Sequence, residues 1–451
     1  MTDAQHIQTP QRDGYGEIMN LAWPMILSMI SFTVMGFVDT MFVSWLGPTQ
    51  TAGVVLANVV LFQAVSLLMG LLAAIRTLNS QDFGAGRLKN IAGNTATGLT
   101  IALGLGLLMA SMDLVRIPFL ELVAGTDAQV RMAEPYLFWR FLGVPFVAMR
   151  VVCDNHFGAI SDTRTPMVIN IVANLLNVPF TYVLVFGFGG FEGMGVGGAG
   201  LSTLLSSMIA AGLGLSLLWL RSNSRSILSQ GVFRPSTAAA RRMMKVGLPL
   251  AMQFFLEVGS FNAINIMIAR AGDVALAASG IVVQFIMISF LPAQGISGAA
   301  TILVGQHQGA KRTDRAVAAV SRAVILSSIY MGICAGVFVL IPESLMSIFT
   351  EDTQVVTTGV YLLYIIAVFQ VIDALGTVYY GALQGAGDTL WPMIFGIAGG
   401  WVIMVPTGFV LIQHFNMGVY GGWIAKAAHI IVFACALIYR YHSGVWKTMN
   451  P

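Results

Sequence analysis

The sequence predicts an all-α polytopic membrane protein. Twelve transmembrane helices are expected, in two six-helix lobes related by a pseudo-twofold axis along the membrane normal. Three observations predict this. The chain has 451 residues, 57% hydrophobic and 10% charged, with a mean hydropathy of +0.80, whereas a soluble domain carries about 25% charged residues. Its apolar residues gather into twelve runs, each long enough for a bilayer-spanning helix. The second half also repeats features of the first at a nearly constant offset.

The runs fall at 18–46, 51–78, 91–117, 134–154, 166–189, 195–220, 246–270, 275–304, 316–342, 359–382, 390–413 and 418–440. They are continuous rather than alternating, which argues against spanning strands. The polar N-terminus has no compact apolar core with a cleavage site, so 18–46 reads as a retained first span. Eighteen of the 23 Lys and Arg residues fall in segments on the side of the termini. Four (Arg116, Arg131, Arg140, Arg270) fall on the other side, and Lys426 lies inside a span. This bias predicts cytoplasmic termini. The longest polar stretch, 221–245, is basic and contains Pro235. It reads as a cytoplasmic linker between an N-lobe, 1–220 (spans 1–6), and a C-lobe, 246–451 (spans 7–12).

The repeat supports that division. QDFGAGR at 81–87 matches QHQGAKR at 306–312, an offset of 225 that Pro24 and Pro249, and Tyr136 and Tyr361, also share. DTRTPM at 162–167 matches DTLWPM at 388–393 at 226. Six spans per half give both halves the same orientation, with a substrate route expected between them.

Three acids interrupt the apolar runs. Glu257 sits mid-span with Lys245 and Arg270 as its nearest bases; Asp373 lies in span 10 and Asp39 in span 1. A mid-membrane carboxylate costs roughly 2.5–3.5 kcal/mol on insertion scales and usually faces a cavity or a partner. None of the three has a base at i±3 or i±4. Such groups suit loading and release of a proton or Na⁺. At an offset of 225, Asp39 corresponds to Ile264, Glu257 to Phe32 and Asp373 to Ala148. The scaffold is therefore duplicated and the acids are not, which points to function.

Polar residues share helical faces with these acids. Gln253 and Ser260 flank Glu257, while Gln370, Thr377, Tyr380 and Gln384 align with Asp373. Asn170, Asn174, Asn177 and Thr181 form one face of span 5, where Pro179 frees a carbonyl. This face reads as interhelical hydrogen bonding or, more favourably, as a polar cavity. Phe32, Met35, Phe369 and Tyr380 are the candidate substrate contacts, because methionine packs plastically and aromatic faces attract cations. Lys426 would snorkel, pair with a carboxylate or line the cavity; His429 reads as a packing or hydrogen-bonding residue.

Other classes find no support. The chain has no GxxxxGK[ST], no HExxH and no Ser–His–Asp order, so neither an enzyme nor a cofactor is expected. Its GxGxxG at 195–200 lacks the strand and acid of a dinucleotide site. Cys153, Cys334 and Cys435 form no framework, and a net charge of +3 offers no case for nucleic acid.

Taken together, WP at 23–24, GFVDTMFV at 36–43, QDFGAGR, the Asn174/Asn177 pair, GLPLAMQFFLEV at 247–258, FQVIDAL at 369–375 and GDTLWP at 387–392 resemble the multidrug and toxic compound extrusion (MATE) transporters along nearly the whole chain. The similarity is greatest to the NorM-like branch, whose span 7 Glu and span 10 Asp match Glu257 and Asp373. Two positions depart from the pattern. The DinF-like branch has an Asp where this chain has Thr181, and a Tyr often found before the span 10 Asp is Phe369 here.

The resemblance implies an inner-membrane multidrug efflux antiporter with an outward-facing V shape, exchanging organic cations for Na⁺ or H⁺. Glu257 and Asp373 would bind the coupling ion, including Na⁺ as a metal, with Asp39 as the rival centre. Small organic cations and the lipid bilayer are the expected partners of a monomer. A flippase for lipid-linked precursors is the alternative, but its anionic cargo would call for a basic cavity.

Overall fold

The computed structural model describes residues 14–117, 120, 126–223 and 234–449. Among these, twelve helices are long and apolar enough to cross a bilayer: α1 (Tyr15–Ser44), α2 (Pro48–Gly84), α3 (Leu88–Leu114), α4 (Asp127–Ala159), α5 (Arg164–Phe186), α6 (Val196–Leu220), α7 (Thr237–Ala269), α8 (Asp273–Gly309), α9 (Thr313–Leu340), α10 (Thr353–Ala386), α11 (Leu390–His414) and α12 (Gly418–His442). Every predicted span has its helix. Several helices outrun the apolar stretch that announced them, because their ends are polar. The first turns of α7, around Arg241 and Arg242, were read as linker. Much of the expected linker, 224–233, lies outside the described residues. The only described strands, Gly187–Phe188 and Phe191–Glu192, form a small antiparallel hairpin after α5.

Each lobe is a six-helix bundle, but the first helix of each serves both lobes. Ile18, Leu21, Ala22 and Met25 of α1 pack into a core built from α8, α9, α10 and α12. Met243, Val246 and Leu250 of α7 pack into the core of α2, α3, α4 and α6. These positions match at an offset of 225: Ile18 with Met243, Leu21 with Val246, Met25 with Leu250. Pro24 and Pro249 lie inside the two helices at the same place. Each proline removes one backbone hydrogen bond. Beyond it, α1 leaves the opposite lobe and runs along α5.

Glycines allow the lobes to meet this closely. A Cβ on Gly70 of α2 would stand 2.6 Å from the Ala251 Cα of α7. Its counterpart Gly295 of α8 meets Ile26 of α1. Nearer the ends of α2 and α8, Gly84 lies against the Gln306 carbonyl and Gly309 against that of Gln81. The turns that follow are also paired: Gly86 (φ 70°) and Lys311 (φ 57°) both take the left-handed conformation. Thr77 and Gln81 of α2 donate to the carbonyls of Gln384 and Gly385, both at 2.9 Å, and Gln306 donates to the Ala159 carbonyl at 2.8 Å. Together these contacts close one face of the molecule, the face of the basic loops.

Replacing Gly84 or Gly309 with Val should force this seam apart. Overpacking of this kind costs roughly 1–3 kcal/mol. Thermal unfolding of the purified variants in detergent should show a lowered transition, whereas Gly104→Val, at a position with nothing within 4 Å, should unfold near wild type.

Candidate functional site

The N-lobe centre forms around Asp39, which α1 buries against α5 and α6. Thr203 Oγ1 donates to Asp39 Oδ2 at 2.9 Å. Thr181 Oγ1 stands 3.0 Å from Asp39 Oδ1, 2.9 Å from the Asn177 carbonyl and 2.8 Å from Ser202 Oγ. The asparagine face of α5 continues along the same seam. Asn174 Nδ2 donates to Ser31 at 2.6 Å and Asn170 Nδ2 to Ser28 at 2.7 Å. Asn170 also accepts from Arg150, which pairs with Asp154 at 2.9 Å. The predicted face therefore fastens α1 to α5, while its far end surrounds an acid. Asn177 Nδ2 is buried without a described partner.

The C-lobe centre forms around Glu257 of α7, whose side chain is 26% exposed. Asp373 of α10 and His429 of α12 are close enough to interact with it electrostatically, as is Tyr380. His429 Nε2 lies 3.9 Å from Glu257 Oε1. Tyr380 packs against the cores of both lobes, so Glu257 lies toward the interface between them. Gln63 of α2 reaches across that interface. Its Nε2 donates to the Phe255 carbonyl at 2.8 Å, and its Oε1 accepts from Asn262 Nδ2 at 3.3 Å. These two bonds bracket Glu257 along α7.

α11 lines this centre with backbone rather than side chains. Gly396 faces Gln253, Gly399 faces His429 and Gly400 faces Ser260. Gly399–Met404 forms a π-helical turn, a geometry often found at functional sites. At an offset of 226, Gly400 corresponds to Asn174 and Thr407 to Thr181. The N-lobe thus supplies polar groups from its fifth helix, and the C-lobe makes room there for groups on α7 and α12. Gln253 and Gln370 are buried; Thr377 lies at the α8–α10 seam, its carbonyl accepting from Ser297 at 2.6 Å.

The remaining candidates separate. Lys426 neither snorkels nor meets a carboxylate among the described contacts. It is buried, donates to Asn265 Oδ1 at 2.9 Å and lies 4.2 Å from the Trp423 ring centroid. Phe32 is 48% exposed, with the Arg150 guanidinium over its ring at 5.7 Å. Met35 is buried, and Phe369 is enclosed in the C-lobe core at 3% exposure, so Phe369 offers a substrate no surface as it stands. Thr203, Ser202 and Gln63 were not among the candidates. Of these only Gln63 left a signal, as a lone amide in the apolar run of α2.

Comparison with known proteins sets these centres in context. The sequence matches the MatE profile over residues 24–183 and 249–410, two segments that repeat the internal division. The chain belongs to the MatE family, the MATE transporters. It is 28% identical to the probable multidrug resistance protein NorM of Thermotoga maritima, covering 96% of this chain and 93% of that protein. It is 30% identical to the protein of the same name from Rhodopseudomonas palustris, covering 94% and 91%. Its fold is that of a MOP superfamily transporter from Pyrococcus furiosus, with a TM-score of 0.87 at 20% identity over 97% of this chain and 98% of the other. It is equally that of an outward-facing multidrug resistance MATE transporter, with a TM-score of 0.85 at 21% identity over 97% of each chain. MATE proteins are transporters, which agrees with the expectation of no enzyme.

Thr203→Val keeps the shape of the side chain but withdraws a hydrogen bond from a buried acid. Leaving such a group short of a partner costs about 1–3 kcal/mol. Thermal unfolding should register that loss for Thr203→Val, and much less for Thr203→Ser, which restores a hydroxyl.

Proposed function

We propose that this MATE protein is a secondary active multidrug antiporter, exporting organic cations in exchange for Na⁺ or H⁺ by alternating access. Its place is the bacterial cytoplasmic (inner) membrane, where it works as a monomer with both termini, the linker at 221–245 and the basic face on the cytoplasmic side. The charge bias of the loops supports that orientation. The NorM relatives, named as multidrug resistance proteins, support the cargo class.

One observation carries the reading: the interface-facing Glu257 with Asp373 of α10 within electrostatic reach. An ion and an organic cation compete for these carboxylates. The coupling ion loads from outside, neutralises the centre and releases the cargo. The lobes then rock about the seam of α1, α2, α7 and α8, the ion leaves to the cytoplasm, and cargo binds from within. Exchange is obligatory when each ligand favours a different state or displaces the other. Phe32 and Tyr380 supply aromatic faces for the cargo, and Gln253, Gln370 and Thr377 the polar lining. Asp39, with Asn174, Asn177 and Thr181, is a second ion centre, secondary to Glu257 and Asp373.

Cells deleted for their own efflux pumps and expressing this protein should resist ethidium. Glu257→Gln and Asp373→Asn should each remove most of that resistance at equal membrane abundance. Full resistance in both variants would exclude these acids from coupling.

A further inference from the structure

We propose that His429 is the third member of the C-lobe centre and makes H⁺, rather than Na⁺, the ion exchanged there. This rests on antiport through Glu257 and Asp373 and specifies its coupling ion.

The imidazole is 1% exposed and fixed on three sides. It lies parallel to Phe433, with centroids 5.9 Å apart and planes 5° apart. It meets Phe261 edge-on at 5.8 Å. Its Nδ1 presses against α11 where a Cβ on Gly399 would stand 2.6 Å away. Only bare backbone at Gly399 admits the ring in this position. The remaining edge turns Nε2 toward Glu257 Oε1 at 3.9 Å. That distance is too long for a direct hydrogen bond and suits one bridged by water.

A ring wanted only for packing would be served by Phe, which stacks equally well and carries no polar atoms to satisfy. Here His429 Nδ1 has no described hydrogen-bond partner, and Gln253 Oε1 and Gln370 Nε2, both buried in the same lobe, share that condition. Unsatisfied buried polar atoms are rare and call for a ligand or water. His429 Nδ1 and Gln253 Oε1, on side chains that face the neighbouring glycines Gly399 and Gly396 of α11, mark a place for bound water beside the imidazole.

The groups that face the ring are few. α7 contributes Glu257 and α10 contributes Asp373, while Tyr380 of α10 faces Phe433, on which the ring stacks. α11 has no ionisable residue between Leu390 and Phe409, and α8 none between Val274 and Gln306. On α12 itself Lys426 is one turn away, but its ammonium is held by Asn265 and Trp423. His429 therefore has two carboxylates as its charged partners. Imidazole is the side chain best suited to take up and return a proton near neutral pH.

Na⁺ is a hard cation that selects several oxygen ligands. Around Glu257 an imidazole edge occupies one approach, and Phe369 stands one turn before Asp373 without a hydroxyl. In the cycle a proton from outside is shared between His429 and Glu257, the organic cation departs, and the same proton leaves to the cytoplasm after the lobes rock. One proton enters for each monovalent cation expelled.

Tetraphenylphosphonium binding to the purified protein in weakly buffered detergent solution tests this, read as protons released per cation bound. Wild type should release about one proton, and His429→Gln at least twofold fewer while still binding. Equal release by both would overturn the proposal. Proteoliposomes with wild-type protein supply a measurement that needs no variant. A pH gradient at equal Na⁺ should drive ethidium transport, and a Na⁺ gradient at clamped pH should not. Transport driven by Na⁺ alone would overturn the role of His429 but leave the antiporter standing. No transport under either gradient would overturn the antiporter, and this proposal with it.

Discussion

The structure depends on a backbone contact between two repeats. α2 and α8 approach so closely that Gly84 meets the Gln306 carbonyl and Gly309 meets that of Gln81. Side chains at either glycine would hold the helices apart. Around this seam α1 and α7 exchange places, each burying its first turns in the opposite lobe. The lobes are thus joined by a symmetric, well-packed contact near the basic face. The described hydrogen bonds between them run from Gln63, near the middle of α2, to Asp82, near its end, and to Thr97 of α3. A joint confined to one half of the membrane would serve the rocking proposed for the two lobes.

Symmetry in the scaffold makes the asymmetry of the centres informative. Asp39 and Ile264 occupy matched positions on α1 and α7. The first is enclosed by hydroxyls from α5 and α6, the second by the apolar C-lobe core. Conversely, Asn170 and Asn174 of α5 have Gly396 and Gly400 as their counterparts on α11, and those glycines admit the side chains of Gln253 and Ser260, while Gly399 beside them admits His429. One backbone plan therefore carries two different polar centres. The N-lobe centre is closed and hydrogen-bonded; the C-lobe centre is more open and short of partners.

Much of this was legible in the sequence. Twelve apolar runs and a repeat near 225 gave the helices and their pairing, because hydropathy and helix length are local properties. Glu257, Asp373 and Asp39 stood out because an acid in a long apolar run is costly wherever its partners lie. The partners were not legible. Thr203 is 164 residues from Asp39, and Gln63 is 192 from Phe255; serines, threonines and amides are ordinary residues in membrane helices. His429 read as packing, since nothing in GGWIAKAAHI tells which way its ring turns. The extra turns of α7 were hidden by arginines, which end a hydropathic run without ending a helix. Phe369 looked available because its face was counted without knowing what α10 packs against.

The central claim is that inward movement of a proton and outward movement of an organic cation are one event at Glu257. Pyranine trapped in proteoliposomes reads it directly. Tetraphenylphosphonium added outside should exchange for luminal protons, so the lumen should turn alkaline with wild-type protein and stay unchanged with Glu257→Gln. An unchanged lumen with wild-type protein, or an equal change with Glu257→Gln, would contradict it.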